Sequence, residues 1–279
     1  MNTNKFRTNA VFFFLFTFGW SLLFWYLTVV FGGIDQSPGS ILQYVGGAGP
    51  LIAALVITRF FEDHENKREF WSRTFDPQRI PWRWLVAAFL IHPAILFISI
   101  VVDLALGGTM PWKTANLTGL GAIANLVFFV FVFGPLPEEM GWRGVGYDRL
   151  VQNWNPLAAS LILGVAWAAW HIPLFLIEGT FQNQLGFGSF RFWVFLASNI
   201  PLTVIITLVY NHTKISILSA AIVHFSGNII GAILTKTDQL AFIELIGLTV
   251  AAIMITARYG VNLGFAPNST IAAKETGDE

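Results

Sequence analysis

An all-α bundle of membrane-spanning helices is the fold class this sequence predicts, and three observations predict it. Of 279 residues only 11% are charged while 55% are apolar, the mean hydropathy is +0.63, and apolar runs long enough to cross a bilayer recur along the chain. A soluble domain carries about 25% charged residues, so most of this surface must face lipid. A span needs about 20 predominantly apolar residues.

Eight segments meet that criterion: 11–31, 41–61, 84–106, 120–137, 157–177, 191–210, 215–234 and 240–257. The first exceeds the length of a signal-peptide core and lacks a small-residue cleavage site after it, which predicts a retained helix. The second follows GGIDQSPGS at 32–40, and the third ends at GGTMPWK, 107–113. The fourth runs through NLVFFVFVFGPLP. The fifth follows NWNP at 153–156, the sixth ends at NHTK, 211–214, and the seventh and eighth complete the bundle. Glycine, proline and asparagine clusters of this kind punctuate helices. No internal repeat or composition shift divides the chain. The expectation is one membrane domain over 1–279, with the chemistry-bearing motifs in 120–234 and a polar C-terminal tail at 259–279.

Short cytoplasmic loops are enriched in Lys and Arg. With the N-terminus inside, thirteen basic residues fall on or near the inner side. Only Lys113, Arg191 and Lys236 fall outside. Both termini are therefore expected in the cytoplasm, the membrane being the cytoplasmic membrane of a prokaryote. The segment 62–83 is expected as a cytoplasmic loop lying near lipid headgroups through Phe70, Trp71, Trp82 and Trp84. Net charge is zero with no basic block, which argues against nucleic acid as a partner. The absence of cysteine excludes disulfides, thiol nucleophiles and thiolate ligands.

Ionisable residues inside spans are costly and mark function. Three groups stand out: PLPEEMGWRG at 135–144, WAAWHIP at 167–173 and HFSGN at 224–228. Adjacent Glu138 and Glu139 diverge by about 100° on a helix, so they cannot share one role. Glu139 and Arg143 form an i,i+4 pair in the favourable order, predicting that Arg143 neutralises Glu139 after a break at Pro137 while Glu138 faces the bundle interior. His224 and Asn228 share a face, as do Trp167 and His171. His224 falls about 13 Å into its span and His171 about 20 Å into the fifth. For His171 to reach Glu138, either that helix starts later than Leu157 or the bundle is staggered. A carboxylate, two histidines and an amide meeting in a wet pocket suit acyl hydrolysis by activated water without a covalent nucleophile. Neither HExxH nor GxSxG is present. Taken singly, each group has a structural reading: an interfacial ion-pair cluster, a histidine bonded to a carbonyl, a small-residue helix contact at Gly227. His92, Asp103, Asn125, Asn199 and Glu244 are read as serving kinks, helix ends or interhelical bonds.

EEMGWR resembles the EExxxR motif, WAAWH the aromatic-xxxH motif, with Trp167 where Phe is usual, and HFSGN the HxxxN motif of the CPBP family. These are the CAAX-processing and bacteriocin-processing membrane proteases related to CAAX prenyl protease 2. The resemblance implies an intramembrane endopeptidase in which Glu138 and His171 activate water, His224 and Asn228 serve the oxyanion, and Glu139, Arg143 and Trp167 support them. It bears on packing, not chemistry, that Trp replaces Phe at 167. The implied partners are membrane lipid and a peptide or lipidated protein substrate, with prenylation left open. Metal use also stays open: zinc would be held by Glu138, His171 and His224. Two rivals from other classes are a transporter or channel using the same cluster as a proton or ion pathway, and a non-catalytic immunity or scaffold protein of the same fold.

Overall fold

The computed structural model describes residues 3–110 and 119–265, with side chains from residue 11 onward, and every element among them is helical. The tail beyond 265, Lys113 and Lys274 lie outside the described residues.

Helix α1 (Thr3–Val30) packs on α2 (Gly39–Gly47) and α3 (Gly49–Phe61), which bend by 50° at Ala48. A bent helix leaves backbone carbonyls that lipid cannot satisfy. Here α1 supplies the donors: the Trp20 and Trp25 indoles and the Ser21 hydroxyl bond the carbonyls of Val45, Gln43 and Gly46 at 2.8, 3.0 and 2.7 Å. Helix α4 (His64–Phe75) starts at Asp63, whose carboxylate caps the Asn66 N–H. Trp71 and Trp82 are exposed as expected near headgroups, but Phe70 is buried and half-buried Trp84 stacks on His212.

After α5 (Trp82–Ala105) comes a 31-residue apolar segment, Leu120–Leu150. It comprises α6 (Leu120–Val132), α7 (Pro135–Gly141), a π-helical stretch (Trp142–Tyr147) and the single turn α8 (Asp148–Leu150). The break lies at Phe133–Gly134 rather than at Pro137, because proline is tolerated in the first turn of a helix and Pro137 sits inside that of α7. Helix α9 (Pro156–His171) is capped by Asn155, whose side chain accepts the Ala158 N–H at 2.9 Å. The short α10 (Phe181–Leu185) leads to α11 (Phe190–His212), α12 (Ile217–Ile233) and α13 (Asp238–Tyr259), capped by Ser189, Ser216 and Thr237.

Six segments are long and apolar enough to cross a membrane, and the bent α2–α3 pair makes a seventh. Helix α12 is apolar but shorter. These eight elements overlap the eight expected segments, although the fourth runs on to Leu150 rather than ending at 137. The core centres on α9, α11 and α12 with α7 wedged between α12 and α3, and its largest fully buried side chains include Trp25, Trp142, Trp167 and Arg143. The wedge depends on glycine: a Cβ at Gly141 would lie 2.6 Å from the Pro50 carbonyl carbon of α3.

Candidate active site

Three of the packed helices deliver the motif residues. The first turn of α7 carries Glu138, with Glu139 on its buried side. The last turn of α9 carries Trp167 and His171, and the middle of α12 carries His224 and Asn228. Helix α9 begins at Pro156, so a helix start later than Leu157 is not observed.

Trp167 is where the three meet. Its indole N–H donates to Glu138 Oε2 at 2.8 Å, and its carbonyl accepts the His171 Nδ1 proton at 2.8 Å. Its ring stands edge-on to His224 with centroids 4.9 Å apart, and the Arg143 guanidinium lies over it at 5.7 Å. The expectation that Trp at 167 matters for packing alone is therefore corrected. Phe at this position would leave the Glu138 carboxylate without its indole donor. The signal was in the sequence, since the indole is a donor and phenyl is not, but only the fold brings Glu138 within reach.

Arg143 does hold Glu139, with Nη1 at 2.9 and 2.7 Å from its two oxygens and both side chains fully buried. Glu139 is more than a counter-ion. Its Oε1 also accepts from His224 Nδ1 at 2.9 Å, which fixes the imidazole tautomer with the proton on Nδ1 and the lone pair on Nε2. Asn228 then donates to His224 Nε2 at 3.3 Å. His224 and Asn228 are thus bonded to each other at rest, rather than standing side by side as two free donors.

The site opens at Asn228, which is exposed, and Glu138 is half-buried, whereas Glu139, Arg143, His171 and His224 are enclosed. A side chain at Gly134, at the helix break, would point to the Asn228 amide at 3.7 Å. The break therefore lies beside the mouth. An apolar cavity of about 630 Å³ on the outer faces of α9, α11 and α13, lined by Leu161, Pro201 and Ile253 among others, contains none of these residues.

Glu138, His171 and His224 are not gathered as a metal site requires: among the described residues, no three His, Asp or Glu side chains are so grouped. The donor chemistry agrees, because His224 uses Nδ1 on Glu139 and Nε2 on Asn228. Of the other polar residues, His92 bonds Glu244 at 3.1 Å, and Glu244 pairs with Lys236 at 2.5 Å. The His92 ring lies against α12 where Gly227 makes room, and Asn199 bonds the carbonyl of Phe195. Those are interhelical and local bonds of the kind expected.

The family model described as type II CAAX prenyl endopeptidase, Rce1-like, matches residues 120–230, the stretch that holds all three motifs. The chain is also 25% identical over 258 residues to a protein of Methanococcus maripaludis named CAAX prenyl protease 2, covering 90% of this chain and 95% of that protein. With the ordered motifs inside the matched stretch and the helical bundle around them, the chain is similar to the CAAX proteases of the CPBP family, and its apolar helices are those of a multi-pass integral membrane protein.

Proposed function

We propose that the protein is an intramembrane endopeptidase that hydrolyses a peptide bond of a membrane-associated substrate, with prenylated CAAX-type peptides as the first class to test. The observation that carries this reading is the convergence on Trp167, which holds a carboxylate with its indole, a histidine with its carbonyl and a second histidine against its ring.

The roles follow from which atoms remain free. His171 spends its Nδ1 proton on the Trp167 carbonyl, so Nε2 is the nitrogen left with a lone pair to orient water. Glu138 has Oε2 engaged by the indole, leaving Oε1 to take a proton from that water as it attacks the carbonyl carbon. The tetrahedral oxyanion is met by the Asn228 amide, which has a second N–H beyond the one given to His224. His224 holds that amide in place through Nε2, and Glu139 fixes the imidazole through Nδ1. The proton collected by Glu138 is then delivered to the departing amine as the C–N bond breaks.

The test is cleavage of a farnesylated CAAX peptide, of the same peptide without lipid, and of an unrelated membrane-anchored peptide by protein in liposomes. Glu138→Gln serves as the inactive control. Cleavage of the farnesylated peptide alone assigns the prenyl class; cleavage of the others assigns a broader membrane substrate. Proton or ion flux that depends on His224 and Asn228, with no cleavage of any peptide, would establish the transporter reading instead.

A further inference from the structure

The chain of contacts behind the candidate site continues past Arg143 and ends outside the spans, in α4. Arg73, in the last turn of that helix, is buried although its neighbours Trp71 and Phe75 are exposed. It reaches three separate elements. Its Nη1 donates to Asp148 Oδ2 at 2.6 Å, its Nη2 to the Tyr210 hydroxyl, and its Nε to the Ile215 carbonyl at 3.0 Å. Its own carbonyl accepts from the Ser216 hydroxyl, the cap of α12, at 3.5 Å. The Tyr210 hydroxyl stands 2.7 Å from Asp148 Oδ1 and 3.2 Å from the Arg143 carbonyl.

Two routes therefore lead from Arg73 to His224. One passes through Tyr210 to the backbone of Arg143, whose guanidinium holds Glu139, which holds His224. The other runs through Ile215 and Ser216 to the start of α12, on which His224 rides. Both bear on parts of the fold that need fixing. The Arg143 backbone lies in the π-helical stretch, a geometry that departs from the regular helical ladder and recurs at functional sites. Helix α12 is the shorter apolar helix of the bundle. A guanidinium presents five N–H groups in a rigid plane and so ties several elements in one geometry, which a lysine cannot do. Burial disfavours the charge, but Asp148 more than offsets it and holds Arg73 above the ordinary arginine value.

We propose that Arg73 is a positioning residue for the Glu139–His224 pair, setting from the surface helix α4 both the Arg143 backbone and the start of α12. The proposal rests on the reading of Glu139 and His224 as site residues. It concerns where His224 is held, which is measurable whether or not a substrate is in hand.

The test compares Arg73→Gln, Tyr210→Phe and Arg79→Gln in the full-length protein in liposomes. Arg79 bonds Glu69, Ser72 and the Lys214 carbonyl on the same surface but has no bond to Tyr210, Asp148 or Arg143. Since displacements of about 1 Å cost on the order of 10²-fold in rate, Arg73→Gln is expected to lower kcat roughly 10- to 100-fold with KM within about 2-fold. Tyr210→Phe should lower kcat roughly 3- to 10-fold, and Arg79→Gln less than about 2-fold. In parallel, the ¹⁵N signal of His224 Nδ1, assigned by its loss in His224→Asn, should move in the first two variants and stay in the third. If Arg73→Gln does not fold, Tyr210→Phe decides alone. A His224 signal unmoved in the folded variants, or moved equally by Arg79→Gln, overturns the proposal. Absence of cleavage by the wild type would instead overturn the protease reading and leave the ¹⁵N comparison to decide this one.

Discussion

Glu139→Gln and Glu138→Gln exchange the same atoms one residue apart, and the structure expects different failures from them. Glu139 is fully buried between Arg143 and His224. Neutralising it leaves a fully buried guanidinium without its counter-charge, and breaking a buried pair by removing one partner costs about 3–5 kcal/mol. For a chain of this size each kcal/mol shifts Tm by about 2–4 °C, so the expected loss is roughly 6–20 °C. Activity should fall with it, because the His224 Nδ1 proton loses its charged acceptor. The Glu138 carboxylate accepts from the Trp167 indole, and a glutamine oxygen accepts that N–H as well. Its Tm should therefore change by less than about 4 °C while peptide cleavage disappears. The assays are thermal unfolding in one detergent and cleavage in liposomes for both variants. Equal melting temperatures for the two variants, or a Glu138→Gln protein that melts as early as Glu139→Gln, would refute this division of labour.

The remaining expectations concern neighbouring positions. Asn228→Ala should lower kcat roughly 10²- to 10³-fold with KM nearly unchanged, as loss of an oxyanion donor does, and combination with His224→Ala should cost less than the product of the single effects, because the two are bonded to each other. Steady-state kinetics of the two single variants and the double variant checks this. Trp167→Phe keeps the ring and removes the donor. A hydrogen bond to a charged group contributes about 1.5–3 kcal/mol, so kcat/KM should drop at least about 10-fold, and a kinetically silent variant would show the bond to Glu138 to be incidental. In a chain without native cysteine, a single cysteine at position 66 should react with an impermeant maleimide only from the cytoplasmic side, as the bias of basic residues predicts. Labelling from the outside alone would reverse the orientation.

Much of the fold was legible because lipid imposes a simple rule: each span must be apolar for about 20 residues, and breaks must carry glycine, proline or polar residues. That rule found all eight elements. It misplaced the break before Glu138, where Pro137 drew attention although the glycine at 134 is the residue that departs from helical geometry. The Glu139–Arg143 pair was legible from i,i+4 spacing, because both partners lie on one helix. The bonds from Glu139 to His224 and from Trp167 to Glu138 join residues 85 and 29 positions apart, and no local periodicity encodes which face of one helix meets which face of another. The same limit hid Arg73, which reads as one of many charges in a polar loop until α4 is seen folded against α12 and the π-helical stretch.

The break at Phe133–Gly134 also sets a depth. Glu138 follows Leu120 by 18 residues, about 27 Å of helix at 1.5 Å per residue, against a hydrocarbon core of about 30 Å. With Leu120 taken at one face of the hydrocarbon, the carboxylate would lie close to the opposite rim, where the Asn228 mouth could fill from bulk solvent without a water-filled channel through the bundle. An anchored chain would be cut where it emerges from the lipid, and one extra turn inserted between Leu120 and Gly134 would shift the hydrolytic groups by about 5 Å along the membrane normal, and with them the bond that is severed.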